Sequence, residues 1–442
     1  MEESMDQQNR KGNPMALLPI GVFLLIFIGT GVLMGDFYSM PAIVGFLIAL
    51  LVAFLQNRKL SFSEKFAVVA RGVGDENIII MCLIFLVAGG FSGSVTAAGG
   101  VESVVNLGLS ILPGKIAVVG LFIIGCFISV SMGTSMGTIA VLAPIAAEIS
   151  GKTGFALPVC ISAVCCGAMF GDNLSMISDT TIAAVRTQGC EMKDKFKANF
   201  FIVLPAAILT MIILFALTMQ GDFEITEALP YNIFKVVPYM IVLFGALIGI
   251  NVFVVLISGI AASLVVGVFT GTIPLSQIFT AVGGGVTGMY DITVISITVA
   301  CIISLVKENG GVDFILNLIR SKIRSRKGGQ LGIAALASLV DISTANNTVA
   351  IVMAGPIARE ISEEFDISPV RSASLLDIFT SVFQGLIPYG AQLLSAAAFT
   401  GLTPFDIIPY MFYPVLMAVS ALCFIAFRKD RKEKKEQQGQ EE

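Results

Sequence analysis

The 442-residue sequence contains no histidine. Without an imidazole to carry protons near neutral pH, any proton transfer falls to Asp or Glu. Charge is scarce too: Asp, Glu, Lys and Arg make up 13% of the chain, against about 25% in an ordinary soluble domain. No basic patch with interleaved aromatics is present, which argues against a nucleic-acid partner. The eight cysteines (Cys82, Cys126, Cys160, Cys165, Cys166, Cys190, Cys301, Cys423) lack metal-ligand spacing and sit in apolar segments or a basic loop. They read as small core residues, with neither a disulfide framework nor a metal cofactor implied. The first apolar run has no small-residue cleavage site after it, so it reads as a retained span and not a signal peptide.

What the chain does have is apolar sequence: 56% of residues are hydrophobic and mean hydropathy is +0.90. An all-α polytopic membrane protein follows, since helices are the structures that satisfy every backbone polar group within one segment in lipid. A polar N-terminus, 1–14, precedes spans at 15–35, 37–55 and 78–97, with Arg58, Lys59, Lys65 and Arg71 between the second and third. Residues 101–112 are too short to cross and begin with Glu102, so they read as an interfacial or partly inserted helix. The run 115–150 is interrupted at Ser131-Met-Gly-Thr-Ser-Met-Gly-Thr138 and reads as a re-entrant hairpin, because neither arm makes a comfortable span. A broken span, 155–185, follows, then a basic loop with Arg186, Lys193, Lys195 and Lys197, then a span at 199–219.

The segment 220–232 carries Asp222, Glu224 and Glu227 without Lys or Arg and reads as an external linker. Beyond it the pattern recurs, with spans at 235–250, 252–269 and 290–306, and a basic loop at Arg320, Lys322, Arg324, Arg326 and Lys327. A hairpin at 330–361 then has its tip at Asp341-Ile-Ser-Thr-Ala-Asn-Asn-Thr348. A second broken span, 368–399, is interrupted at Phe383-Gln-Gly-Leu-Ile-Pro-Tyr-Gly390, and a last span, 405–427, leads to a charged tail, 428–442. A shift of about 212 residues lays Gly99-Gly-Val-Glu102 on Gly310-Gly-Val-Asp313 and Ala143-Pro-Ile-Ala-Ala-Glu-Ile-Ser150 on Gly355-Pro-Ile-Ala-Arg-Glu-Ile-Ser362. The expected organisation is therefore two repeats, 15–219 and 233–427, of five spans and one hairpin each. An odd number of crossings inverts the second repeat, and the positive-inside rule independently puts both termini in the cytoplasm. Together that is about ten transmembrane helices plus two re-entrant hairpins, in a multi-pass protein of the cell membrane.

The polar residues concentrate where this pattern breaks. Gly171-Asp-Asn-Leu-Ser-Met-Ile-Ser-Asp-Thr-Thr181 puts two carboxylates inside a membrane-grade segment, where a charge costs at least about 2.5 kcal/mol. Gly171 and Asn173 tolerate positive φ, so the chain is expected to unwind there, at the first Asp. Broken helices meeting near the midplane are how inverted-repeat transporters build ion sites. The first tip supplies Ser131, Thr134 and Ser135, and the first break Asp172, Asn173, Ser175, Ser178, Asp179 and Thr180. The second tip supplies Asp341, Thr344, Asn346, Asn347 and Thr348, and the second break Gln384 and Gln392. Oxygen donors with carboxylates suit a small hard cation, and Asp172, Asn173 and Asp179 are the candidates for a Na+ site. No Lys or Arg is expected among these elements, which favours a cation, a proton or an ammonium-bearing solute over a naked dicarboxylate.

These segments resemble the NhaC-type Na+/H+ antiporter family. The likeness rests on Gly133-Thr-Ser-Met-Gly-Thr138 followed by Ala143-Pro-Ile-Ala146, and on Gly171 through Thr181, and it covers nearly the whole chain. Met136 stands where the family often has an aromatic. The second tip and Gly355-Pro-Ile-Ala358 are more distantly similar to hairpins of sodium/dicarboxylate symporters in the wider ion-transporter superfamily. The resemblance implies alternating-access transport driven by an ion gradient, with Na+ or H+ bound near Asp172 and Asp179, and Na+/H+ antiport first among the readings. Relatives that move amino acids or organic acids leave coupled transport of such a solute as the alternative. Expected partners are the bilayer and a small cation, with room for an organic substrate and for a homodimer. An intramembrane aspartyl protease, pairing Asp172 with Tyr290-Asp291, is a remote alternative from another class.

Overall fold

In the computed structural model, the described residues are 12–34, 40–111, 114–176, 178–219, 229–248, 250–320 and 323–427. The expected polar N-terminus up to residue 11, most of the acidic linker (220–228), Lys322 and the charged tail lie outside them. The described chain is helical, with no strand. Its first half comprises α1 (Leu18–Met34), α2 (Ala42–Leu55), α3 (Phe62–Val73), α4 (Glu76–Ala97), α5 (Gly100–Ile111), α6 (Ala117–Met132), α7 (Ser135–Thr153), α8 (Leu157–Leu174), α9 (Asp179–Gln188) and α10 (Met192–Met219). The second comprises α11 (Ile233–Leu247), α12 (Val252–Phe269), α13 (Ile278–Thr287), α14 (Tyr290–Glu308), α15 (Gly311–Arg320), α16 (Arg326–Thr344), α17 (Asn347–Glu364), α18 (Pro369–Gln384), α19 (Ala391–Thr400), α20 (Pro404–Ile407) and α21 (Phe412–Phe427).

Adding 212 to the bounds of α9 gives those of α19, and adding it to the first residues of α7 and α8 gives those of α17 and α18. The two halves thus repeat element by element. The last element departs from the correspondence: α10 is one helix of 28 residues, whereas its counterpart is split into α20, a 3-10 turn and α21. Pro409 sits in that turn and supplies no amide hydrogen to the ladder, although proline alone is not enough to break the helix, since Pro205 lies inside the unbroken α10. Six described helical stretches are long and apolar enough to cross a membrane, or seven if the α19–α20 corner, bent by 99°, counts as one span. Several elements expected as spans, α2, α11 and α21 among them, are shorter than a full crossing.

Both helical hairpins turn at the expected tips, although the first arm, Gly114–Met132, proves long and apolar enough to cross a membrane where the sequence pattern predicts a shorter arm. Gly133 ends α6 in the left-handed region (φ 68°), and Thr134 accepts the Gly137 amide as the N-cap of α7. At the second tip Ala345 takes the left-handed conformation (φ 51°) and Asn346 caps α17 through the Val349 amide. The first broken span differs from expectation. Helix α8 runs on through Gly171, Asp172 and Asn173 and ends only at Leu174, and α9 starts at Asp179. Gly171 serves packing and not unwinding: a Cβ there would lie 2.5 Å from the Cys126 carbonyl oxygen and 2.5 Å from the Ser129 Cβ on α6. One turn earlier, a Cβ on Gly167 would collide with the Phe122 carbonyl of the same helix. Small residues let the two backbones approach closely where lipid gives no hydrophobic force between helices. Gly171→Ala is therefore expected to destabilise the protein by about 1–3 kcal/mol through overpacking. A melting temperature equal to wild type in detergent would remove that account.

The largest buried cluster centres on α6, α7, α8, α10, α16, α17, α18 and α21 and reaches onto α4, α5 and α19 among others. Leu33, Phe127, Phe201, Phe244, Phe269 and Phe279 are exposed on outer faces, as befits side chains that meet lipid. Lys65 on α3 is buried, and its ammonium donates to the Phe54 and Gln56 carbonyls at the C-terminal end of α2. A cation there complements the negative end of the helix dipole.

Candidate functional site

The two tips and the two breaks close around one cavity of about 340 Å³. From the first half, Thr134 and Ser135 reach it from the α6–α7 tip, Asp172 from the last turn of α8, and Ser178, Asp179 and Thr180 from the start of α9. From the second half, Thr344, Asn346, Asn347 and Thr348 reach it from the tip, and Gln384 and Gln392 from the break between α18 and α19. Four helices, α7, α9, α17 and α19, begin at this wall, so the positive ends of four dipoles face the space.

Asp172 organises the polar side of the cavity. Its Oδ1 accepts the Ser178 hydroxyl at 2.7 Å and its Oδ2 accepts the Ser135 hydroxyl at 3.1 Å. The Gln392 amide in turn donates to Ser135 Oγ at 3.0 Å, which ties the second break to the first hairpin. Because Ser178 points at Asp172, it gives α9 no side-chain cap. At the second tip the Gln384 amide donates to the Ala345 carbonyl at 3.2 Å. The Oε1 atoms of Gln384 and Gln392 are buried with no partner among the described residues, and so are free acceptors at the cavity wall.

The backbone of the site repeats, but its charge does not. At a shift of 212, Asp172 corresponds to Gln384, Asp179 to Ala391 and Thr180 to Gln392. Both acids on the cavity wall therefore belong to the first half. Asp172 is buried, whereas Asp179, at the first position of α9, is exposed.

Four candidate residues do not line the cavity. Ser131 turns its hydroxyl back onto the Phe127 carbonyl of its own helix, and Ser175 donates to the Val130 carbonyl, holding α8 to α6. Asn173 follows Asp172 on a helix, so the two side chains point about 100° apart, and Asn173 faces the protein interior. Asp341 is fully buried one turn before the second tip, and neither of its oxygens has a partner among the described residues. Its first-half counterpart is Ser129, whose hydroxyl donates to the Ala168 carbonyl at 2.5 Å.

Two contributions were not visible in the sequence pattern. The scaffold helices α4, α12 and α14 close the far wall with Ile78, Ile84, Val252 and Phe253, together with the polar Asn251 and Ser296. The other is a cation in the core. Lys195, placed by its neighbours in a cytoplasmic loop, is fully buried on α10 and forms an ion pair of 2.6 Å with Asp377 on α18. Its spacing holds the missed signal, for Lys195, Asn199, Ile202 and Ala206 share the buried face of α10 while Lys193 and Lys197 are exposed. Among the described residues no Lys or Arg lines the cavity, but this cation sits behind it, against Asn173 and Thr181 of the first break. Asp291, the second acid of the protease reading, is exposed at the start of α14 and does not line the cavity with Asp172.

The profile of the Na+/H+ antiporter family matches residues 13–219 and 222–428. The chain is 22% identical to the malate-2H+/Na+-lactate antiporter of Bacillus subtilis, over 89% of this chain and 90% of that protein. It is also 22% identical to the Na+/H+ antiporter NhaC of Alkalihalophilus pseudofirmus, over 92% and 94%. A third relative, the arginine/ornithine antiporter ArcD of Halobacterium salinarum, is 22% identical over 94% and 92%. Among solved structures, the YdaH transporter of Alcanivorax borkumensis is similar with a TM-score of 0.41 and 14% identity, over 93% of this chain and 98% of that one. A family match over nearly the full length, on a helical chain with apolar spans, supports one conclusion: this chain belongs to the Na+/H+ antiporter family and is a multi-pass secondary active antiporter.

Proposed function

We propose that the protein exchanges Na+ for H+ across the cell membrane, and that Asp172 is the group both ions use in turn. The observation that carries this reading is a buried carboxylate at a converging set of hydroxyl and carbonyl oxygens, in a chain without histidine. Hard oxygen donors suit Na+. A carboxylate also takes a proton, which lets the same atom release one ion as it receives the other. Asp179 lies on the exposed side of the wall and serves as an entry charge. In this reading residues 15–219 and 233–427 are inverted repeats, 220–232 is external, and both termini are cytoplasmic. Alternating access then follows from rocking one set of elements about the shared cavity.

A second reading is favoured by the size of the cavity. About 340 Å³ falls within the roughly 300–1,000 Å³ of small-molecule sites. That is room for an amino acid or small organic acid beside the coupling ion, the kind of solute for which two of the relatives are named. The test is reconstitution into liposomes with imposed Na+ and pH gradients, repeated with a panel of amino acids and carboxylates. Na+/H+ exchange predicts that an inward Na+ gradient alone drives protons out of the liposome. Proton movement only when a particular solute is added would replace that reading with the second.

A further inference from the structure

Behind Asp172 lies a cluster that the transport reading leaves unused. Lys195 Nζ is 2.6 Å from Asp377 Oδ2, 2.6 Å from Thr181 Oγ1 and 3.2 Å from the Asn173 backbone carbonyl. Asn199 Nδ2 donates to the same Asp377 oxygen at 2.9 Å and to the same carbonyl at 3.1 Å, and Asn173 Nδ2 lies 3.4 Å from Asp377 Oδ2. All of these side chains are at least 98% buried. The other Asp377 oxygen, Oδ1, is buried too and has no partner among the described residues.

We propose that this cluster is a second monovalent-cation site, occupied by the Lys195 ammonium as an ion tethered to the chain. The argument is one of donor chemistry. A carboxylate, a hydroxyl and a backbone carbonyl, with a spare carboxylate oxygen, form the hard-oxygen set that a small cation selects. An ammonium is a compact point charge with three donors, and here each donor meets one oxygen. The site touches the cavity through consecutive residues, since Asp172 faces the cavity and Asn173 supplies a cage oxygen. Of these two carboxylates, Asp377 therefore carries its own cation, whereas Asp172, on the reading proposed above, receives one from solution.

Deleting the ammonium should open the cage to Na+. Methionine matches lysine as far as its last carbon, so Lys195→Met removes the charged atom and little else. The measurement is thermal unfolding of the purified full chain against Na+ concentration, with choline holding ionic strength constant. Both variants are made in wild-type and Asp172→Asn backgrounds, so that Na+ at the cavity is counted separately. Lys195→Met should gain a Na+-dependent rise in melting temperature corresponding to one additional Na+ per chain, in both backgrounds. Lys195→Met/Asp377→Asn should lose it. A Lys195→Met protein whose Na+ dependence equals that of its parent overturns the proposal, whatever becomes of the cavity reading. Should the variant fold only in high Na+ and not in choline, the proposal stands; failure to fold in both overturns it.

Discussion

Asp172→Asn is expected to abolish coupled transport while leaving the protein folded and inserted. Asparagine keeps the shape, and its oxygen still accepts one of the hydroxyls of Ser135 and Ser178. Its amide nitrogen donates to the other, because a hydroxyl oxygen also accepts. The local hydrogen bonds are thus conserved and only the charge is lost. Removing one member of a buried charge pair costs about 2–5 kcal/mol, which corresponds to a roughly 30-fold or greater loss in apparent cation affinity. The variant also loses its exchangeable proton, so both half-reactions fail together. Asp179→Asn should be much milder, since an exposed charge is screened by water and salt. Na+-driven proton flux in proteoliposomes compares the two variants. Wild-type flux with the same Na+ dependence in Asp172→Asn would sink the assignment.

The architecture was legible in the sequence because membrane burial leaves few choices. Polar tips interrupting apolar runs, and a Pro-Ile-Ala stretch recurring after each tip at Pro144 and Pro356, located both hairpins and the shift between halves. Twelve of the sixteen candidate residues line the cavity, because polar side chains gather at the tips and breaks, where irregular backbone at membrane depth must face protein or a cavity. What the sequence concealed was orientation. Gly171 reads as a hinge residue, yet it is still helical in the last turn of α8, where its missing Cβ is needed by a neighbouring backbone that only the fold brings near. Asp172 and Asn173 are adjacent in sequence but face different compartments. Lys195 was hidden by company, as two exposed lysines flank it in a loop-like run. The positive-inside rule counts charges and does not ask which face of a helix they occupy.

That hidden ion pair should dominate stability. Among the described residues Lys195 and Asp377 form an ion pair of which neither member meets solvent, and breaking such a pair costs about 3–5 kcal/mol, because the surviving charge stays buried. The two single changes should not be equal. After Lys195→Met, measured in choline, the carboxylate keeps the Asn199 amide at 2.9 Å and the Asn173 amide at 3.4 Å. After Asp377→Ala, the ammonium keeps only the neutral oxygens of Thr181 and Asn173, and the Asn199 amide loses one of its two acceptors. Asp377→Ala should therefore be the more destabilising. The double change Lys195→Met/Asp377→Ala leaves no unpaired charge, so its cost should fall well short of the sum of the singles. A double-mutant cycle on thermal unfolding isolates that difference as the coupling between the two side chains. Additive singles would mean that the pair contributes shape and hydrogen bonds but no electrostatic coupling, and that the ammonium is not the counter-ion of Asp377.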